Sequence, residues 1–382
     1  MKRTSLGLKT PGGMKDLLPE ELMALEQGEE KILSLFQNWA YQKVLTPTLE
    51  YGACIQPLEE EENPFLKLFD RQGHVLILRP ELTTPIARMV NTRMRSSVFP
   101  LRLCYGADVF RYSPSYGHEF RQLGVELIGS PSPVADAEVI ALAVEALQEV
   151  GREDFQISLG HMGIFTGFMN ELNLTKEFRG KYEEMLGRKD YVGIERLVRG
   201  ENFESKVEET LLKFPHLHGK EEMLQEVLTL SEEPSIKNAV ESLRQVYSYL
   251  QDFGVQEYVS LDLGILRGFS YYTGVVFEGY VPGVGFPVVE GGRYDALYEE
   301  FGDDHPATGF AINLKALVEQ TPVSEVISAD VLVYGDDLGK VIQEGQKLRQ
   351  GGQRVEISLE PMTASEAEKL AEEKGIQRIQ QV

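Results

Sequence analysis

The sequence predicts an α/β chain in the broad α+β sense: a large core of short strands and amphipathic helices, followed by a small α/β domain. Three observations carry this. Strand-like runs gather before residue 130 and resume after residue 258. A charged, mostly helical stretch at about 165–255 lies between them. Residues 329–375 read as strand, helix, strand, helix.

In chain order, residues 1–20 are rich in turn formers, with Pro11-Gly12-Gly13 and Leu17-Leu18-Pro19. From Glu20 to about Asn38, Leu22, Met23, Leu25, Ile32, Leu33, Leu35 and Phe36 recur at helical spacing. The strand-like run Lys43–Glu50 contains Pro47, which removes a ladder donor and predicts an edge strand or a kink. Strands are expected at Val75–Leu78, Leu101–Tyr105, Ala107–Arg111 and Gln122–Leu127, and a helix at Thr83–Thr92. Ala135–Val150 is a clear amphipathic helix, with Val139, Ile140, Leu142, Ala143, Ala146 and Leu147 on its apolar face. The stretch 165–255 holds no chemical motif and reads as an inserted helical subdomain. Strands resume at Val259–Gly264 and Tyr271–Gly279, and Pro282–Gly285 is a turn. Gly309–Glu319 begins as a strand or turn and continues as a helix. A linker at Gln320–Ser324 divides a core, residues 1–322, from a domain at 323–382. That domain has strands Ala329–Tyr334 and Arg354–Leu359 and helices Gly339–Arg349 and Ala364–Lys374. Glycines follow both helices, and the strands are expected to form a parallel pair.

Charge narrows the function. Sixty acidic residues against 38 basic give a formal net charge of −22. Nucleic-acid affinity depends on neutralising phosphates, so such a chain repels RNA and DNA at long range. No apolar run approaches bilayer length, and the first residues carry no apolar signal core, which makes cytoplasmic residence without a membrane partner the expectation. Cys54 and Cys104 lie far apart, and the six histidines form no ligand motif; neither a metal nor a cofactor is expected.

Four segments carry chemistry. In Arg79-Pro80-Glu81-Leu82-Thr83, Thr83 suits a helix cap with Glu81 at the junction. Phe110-Arg111-Tyr112 and Phe120–Glu126 form a hairpin by pattern. Gln122, Gly124 and Glu126 then share one strand face, while Leu123, Val125 and Leu127 enter the core. The polar face suits a ligand surface or a solvated side, and spacing alone leaves both open. Leu266–Glu278 joins Arg267-Gly268 to Tyr271-Tyr272, combining a guanidinium fork with hydroxyl-bearing rings. Glu290-Gly291-Gly292-Arg293 matches no phosphate loop and reads as a tight turn.

Together these residues resemble the class II histidyl-tRNA synthetase family over roughly residues 8–320. Pro11–Pro19 looks like its opening motif, the region ending at Pro47 like motif 1, Phe110–Glu126 like motif 2, Leu266–Glu278 like the histidine loop and Gly291–Leu317 like motif 3. The resemblance implies a class II synthetase-like core, a mainly antiparallel sheet flanked by helices. It likens the last domain to a truncated anticodon-binding domain. It also implies a free-histidine pocket. Glu81, Thr83 and Gln122 would take the ammonium, Glu126 and Tyr272 the two ends of the imidazole, and Arg267 the carboxylate, with Arg111 and Tyr271 in the same set.

The departures from the family are as pointed. Arg111 matches the motif 2 arginine that holds ATP in that class. The motif 3 pattern Gly-Leu-Glu-Arg-Leu, however, is replaced by Asn313-Leu314-Lys315-Ala316-Leu317, so Ala316 stands in the second arginine's place. Lys315 lies about 100° round the helix and lacks the planar fork. Ser113 replaces an acidic residue, and the hairpin tip Ser113–His118 lacks the family's arginines. Removing one transition-state contact costs roughly 10² to 10³ in rate. A synthetase-like, acidic chain that keeps the pocket and loses ATP chemistry resembles the paralogous ATP phosphoribosyltransferase regulatory subunits. This implies no catalysis of its own and a short-form ATP phosphoribosyltransferase catalytic subunit as partner in the first step of histidine biosynthesis. It further implies L-histidine as feedback effector, and a homodimer within a hetero-oligomer. A divergent active synthetase, supported by Arg111 and Arg267, is the alternative; an RNA-sensing relative is a third reading, opposed by the charge.

Overall fold

The computed structural model describes residues 5–55, 65–112, 117–265, 272–318 and 328–382. The chain divides into two compact units, Met1–Pro322 and Val323–Val382. Arg267, Tyr271, Ser113 and the Gln320–Ser324 linker lie outside the described residues.

The helix Pro19–Asn38 opens the first unit. Proline at its start has the φ a first turn needs, and the Glu21 carboxylate accepts the Leu18 N–H. It buries Gly28, Ile32, Leu33 and Phe36. The expected strand at Lys43–Glu50 is split around Pro47. Gln42–Lys43 forms the parallel edge of the large sheet, while Leu49–Tyr51 joins Lys67–Phe69 and Val75–Leu78 in a small antiparallel one.

Among the described residues the large sheet has nine strands. Its centre runs Leu101–Phe110, Glu119–Ile128, Ala307–Asn313, Val289–Arg293, Val275–Tyr280, Gln156–His161, every neighbouring pair antiparallel. One face of this sheet, with Cys104, Leu123, Val125, Phe310 and Phe277, packs on Pro19–Asn38 and on Pro133–Glu149. The latter helix is capped by the Ser132 hydroxyl, which accepts the Val134 N–H, and it buries most of its length. The opposite face carries Leu103, Tyr105 and Ala107 and is covered by the helix Thr83–Arg93 through Leu82, Ile86 and Val90. That cover makes the second face an interior rather than a solvated side.

Between Gln156–His161 and the parallel strand Val259–Asp262 lie the helices Met162–Glu171, Lys176–Gly187, Tyr191–Arg199, Ser205–Lys213, Met223–Leu230 and Pro234–Asp252. Their buried residues, Phe165 to Leu250, belong to the same apolar core as the sheet.

Several sequence expectations change. Leu101–Tyr105 and Ala107–Arg111 are one strand, since Gly106 pairs normally with Leu123. Gly291-Gly292 is not a turn but mid-strand: a Cβ on Gly291 would meet the Phe277 ring at 2.5 Å and the Gly309 carbonyl at 2.7 Å. Thr83 is not a cap. The Glu81 carboxylate accepts the Thr84 N–H instead, at 3.1 and 3.2 Å.

In the second unit Val331–Tyr334 pairs in parallel with Val355–Ile357, and also with Ile379–Gln381, a third strand too short and polar to read from the sequence. The helices Leu338–Gln350 and Ala364–Lys374 connect them. Thr363 and Glu366 form a reciprocal capping box at the start of the second helix.

Candidate functional site

The site is built on the covered face of the large sheet. In one row across the strands, Tyr105, Gly124, Ala311, Glu290 and Glu278 stand opposite one another. In the next row stand Leu103, Glu126, Gly309, Gly292 and Val276. Directly opposed residues share a face. The floor is therefore small (Gly124, Ala311, Gly309), with carboxylates rising around it. Gly309 is required there: a Cβ would lie 2.0 Å from Glu126 Oε2 and 2.4 Å from the Val125 carbonyl oxygen.

Glu126 is almost completely buried. The Thr83 hydroxyl donates to its Oε1 at 2.9 Å and the Tyr294 hydroxyl donates to its Oε2. Burial pushes its carboxyl up to about 8; the two hydroxyl donors oppose that shift and the neighbouring Glu81 adds to it. Glu81, also buried, is raised by loss of water, against the pull of its Thr84 and Thr83 donors and of Arg111. Gln122, 6% exposed, keeps a buried Oε1 with no hydrogen-bond partner among the described residues. Such an atom costs free energy unless a ligand or water supplies a donor.

Among the described residues, Arg111 supplies the guanidinium of the cavity. It stacks over the Phe120 ring at 5.2 Å, and its Nη2 lies 4.0 Å from Glu290 Oε2. Its backbone N–H donates to the His118 carbonyl, and the His118 N–H donates to the Gly13 carbonyl at 2.7 Å, so the opening segment braces the strand end that carries it.

The structure brings six of the sequence-predicted residues, Glu81, Thr83, Arg111, Gln122, Glu126 and Tyr272, to one cavity. Arg267 and Tyr271 are not described. Sequence reasoning missed Tyr294, Glu278 and Glu290, which line the same cavity. Alternation counted through Val289–Arg293 as a strand would have placed Glu290 on the pocket face. Arg293 faces elsewhere: it ion-pairs with buried Asp136 at 2.9 Å and donates to the Ser130 carbonyl. Neither Ala316 nor Lys315 lines this cavity. Ala316 is buried in the main core with its N–H on Asn313 Oδ1, and Lys315 faces a separate cleft with Lys15, Glu29 and Arg121.

An acceptor-rich cavity with a guanidinium suits a small ligand that brings several N–H donors and one carboxylate, as a free amino acid does.

Comparison with known proteins places the chain in a family. The profile of the family described as "Histidyl-tRNA synthetase" matches residues 13–317. An "ATP phosphoribosyltransferase regulatory subunit" of Desulfitobacterium hafniense (strain DSM 10664 / DCB-2) is 68% identical over 379 residues, covering 99% of each chain. A protein of the same description from Moorella thermoacetica is 41% identical over 382 residues, 98% of each. A crystal structure from Bacillus halodurans, described as an ATP phosphoribosyltransferase regulatory subunit/histidyl-tRNA synthetase, superposes with a TM-score of 0.87 at 31% identity over 100% of this chain and 99% of its own. A class II sheet with an acceptor-rich cavity on its covered face, together with this full-length kinship, shows that the chain belongs to the histidyl-tRNA synthetase family and, within it, to the ATP phosphoribosyltransferase regulatory subunits.

Proposed function

We propose that the chain is a non-catalytic regulatory subunit that a short-form ATP phosphoribosyltransferase catalytic subunit requires for the first step of L-histidine biosynthesis, and that the cavity around Glu126 is its sensor for L-histidine. The observation that carries this reading is a buried acceptor set, Glu126, Glu81 and a Gln122 Oε1 that has no hydrogen-bond partner among the described residues, in a chain whose motif 3 helix carries Ala316 in place of arginine. Glu126 and Tyr272 address the imidazole, Glu81, Thr83 and Gln122 the ammonium, and Arg111 with Arg267 and Tyr271 the remaining end. Full-length relatives that bear the regulatory-subunit description support the partner. Feedback requires only that histidine bind one state of the complex more tightly than another; the inhibition is bounded by that difference. The assembly is a hetero-oligomer built on a homodimer of this chain, in the cytoplasm.

Retained Arg111 favours a second reading, an active synthetase. Histidine-dependent ATP–pyrophosphate exchange separates the two. The regulatory reading expects no exchange from the folded chain and saturable histidine binding to the chain or to its complex. Exchange at the rate of an authentic synthetase control overturns it.

A further inference from the structure

We infer that Glu290 is a specificity-determining residue that closes the cavity to phosphate-bearing ligands and reserves it for an amino acid. This rests on the reading of the cavity as an amino-acid site and goes beyond it.

Glu290 and Glu278 are directly opposed across the antiparallel pair Val275–Tyr280 and Val289–Arg293. Like charges at opposed positions weaken a sheet. On Glu290's other side stands Ala311, whose methyl leaves the carboxylate room to lie over the floor. Glu278 is buried, and the Tyr280 hydroxyl donates to its carboxylate. Glu290 lines the cavity beside Arg111, and its use lies there.

That use follows from Arg111. A guanidinium fork is the group best suited to grip a phosphate. Here the Glu290 carboxylate is 4.0 Å from it, and Glu81 lies close enough to feel its charge. A phosphate carrying two negative charges would reach Arg111 only against Glu290, with Glu278 beside it. An amino acid arrives differently: its single carboxylate can share Arg111, and its ammonium is welcome among the acidic groups. Charge opposition of this kind discriminates between ligands by rejecting one of them.

The test is titration of the full chain with ATP and Mg²⁺ at low salt, by calorimetry. Glu290→Gln, which keeps the shape and removes the charge, is expected to tighten ATP binding about tenfold or more, as loss of one close like charge in a partly buried site should. The gain is expected to vanish when Arg111→Ala is added. Unchanged ATP affinity in a Glu290→Gln chain that melts like wild type overturns the inference, and so does a gain that survives Arg111→Ala. Should that variant misfold, the wild-type chain still decides: ATP binding as tight as that of histidine overturns the inference. Histidine titration of the wild type reports separately on the amino-acid reading.

Discussion

Glu126 sets the pH behaviour of the site. Its carboxyl sits at about 8 in the folded chain against an ordinary 4.5. Between those values the native state holds a proton that the unfolded chain has released, so stability falls as pH rises through the window. One group contributes a slope of about 1.4 kcal/mol per pH unit there. Glu126→Gln should remove that part of the slope, so that it gains on wild type between pH 5 and 8 in denaturant unfolding; parallel profiles would contradict the assignment. Tyr294→Phe deletes a donor to the same carboxyl group and should weaken histidine binding by roughly 0.5–1.5 kcal/mol, the usual net worth of a hydrogen bond between neutral groups; unchanged affinity would remove Tyr294 from the site. At this scale the alternation Gln122-Gly124-Glu126 was legible, because a strand's period is two. Tyr294 was not legible, because the preceding glycine pair reads locally as a turn and is a strand only through its neighbours Phe277 and Gly309.

At the level of elements, the buried pair Arg293–Asp136 ties the strand Val289–Arg293 to the helix Pro133–Glu149. Removing one member strands the other charge in the core, so Asp136→Ala should cost about 3–5 kcal/mol in unfolding free energy; a loss below 1 kcal/mol would show the pair to be dispensable. The motif 3 helix Leu314–Val318 makes the opposite point. Ala316 lies in the apolar core and does not line the cavity, so Ala316→Arg alone should not restore adenylate formation in the exchange assay. Restored exchange would mean that only one group had been missing. Helices with strong periodicity and prolines or caps at their starts were readable almost to the residue: Ala364–Lys374 matches its expected limits, and Pro19–Asn38 differs by one residue. The short polar strand Ile379–Gln381 was not readable, since it exists only by pairing with Val331–Tyr334.

Over the whole molecule, a formal charge of −22 opposes the long-range approach of polyanions. The class II architecture was legible because five separated segments resembled one family's motifs in the right order. How the cavity is roofed was not, since the cover by Thr83–Arg93 depends on packing between residues distant in sequence. If the cavity holds histidine only in the folded chain, saturating ligand must stabilise the protein. At a hundredfold excess over Kd the gain is about 2.7 kcal/mol, visible as a rise in Tm that Glu126→Ala should abolish. The central claim, that this chain activates a partner and conveys histidine's signal, is tested most directly by reconstitution. Phosphoribosyl transfer would be measured with a short-form ATP phosphoribosyltransferase alone, with this chain, and with this chain plus L-histidine. The account predicts little activity alone, strong activation by the chain, and inhibition by histidine that Glu126→Ala relieves. Full activity without the chain, or histidine inhibition unaltered by the Glu126 substitution, would contradict it.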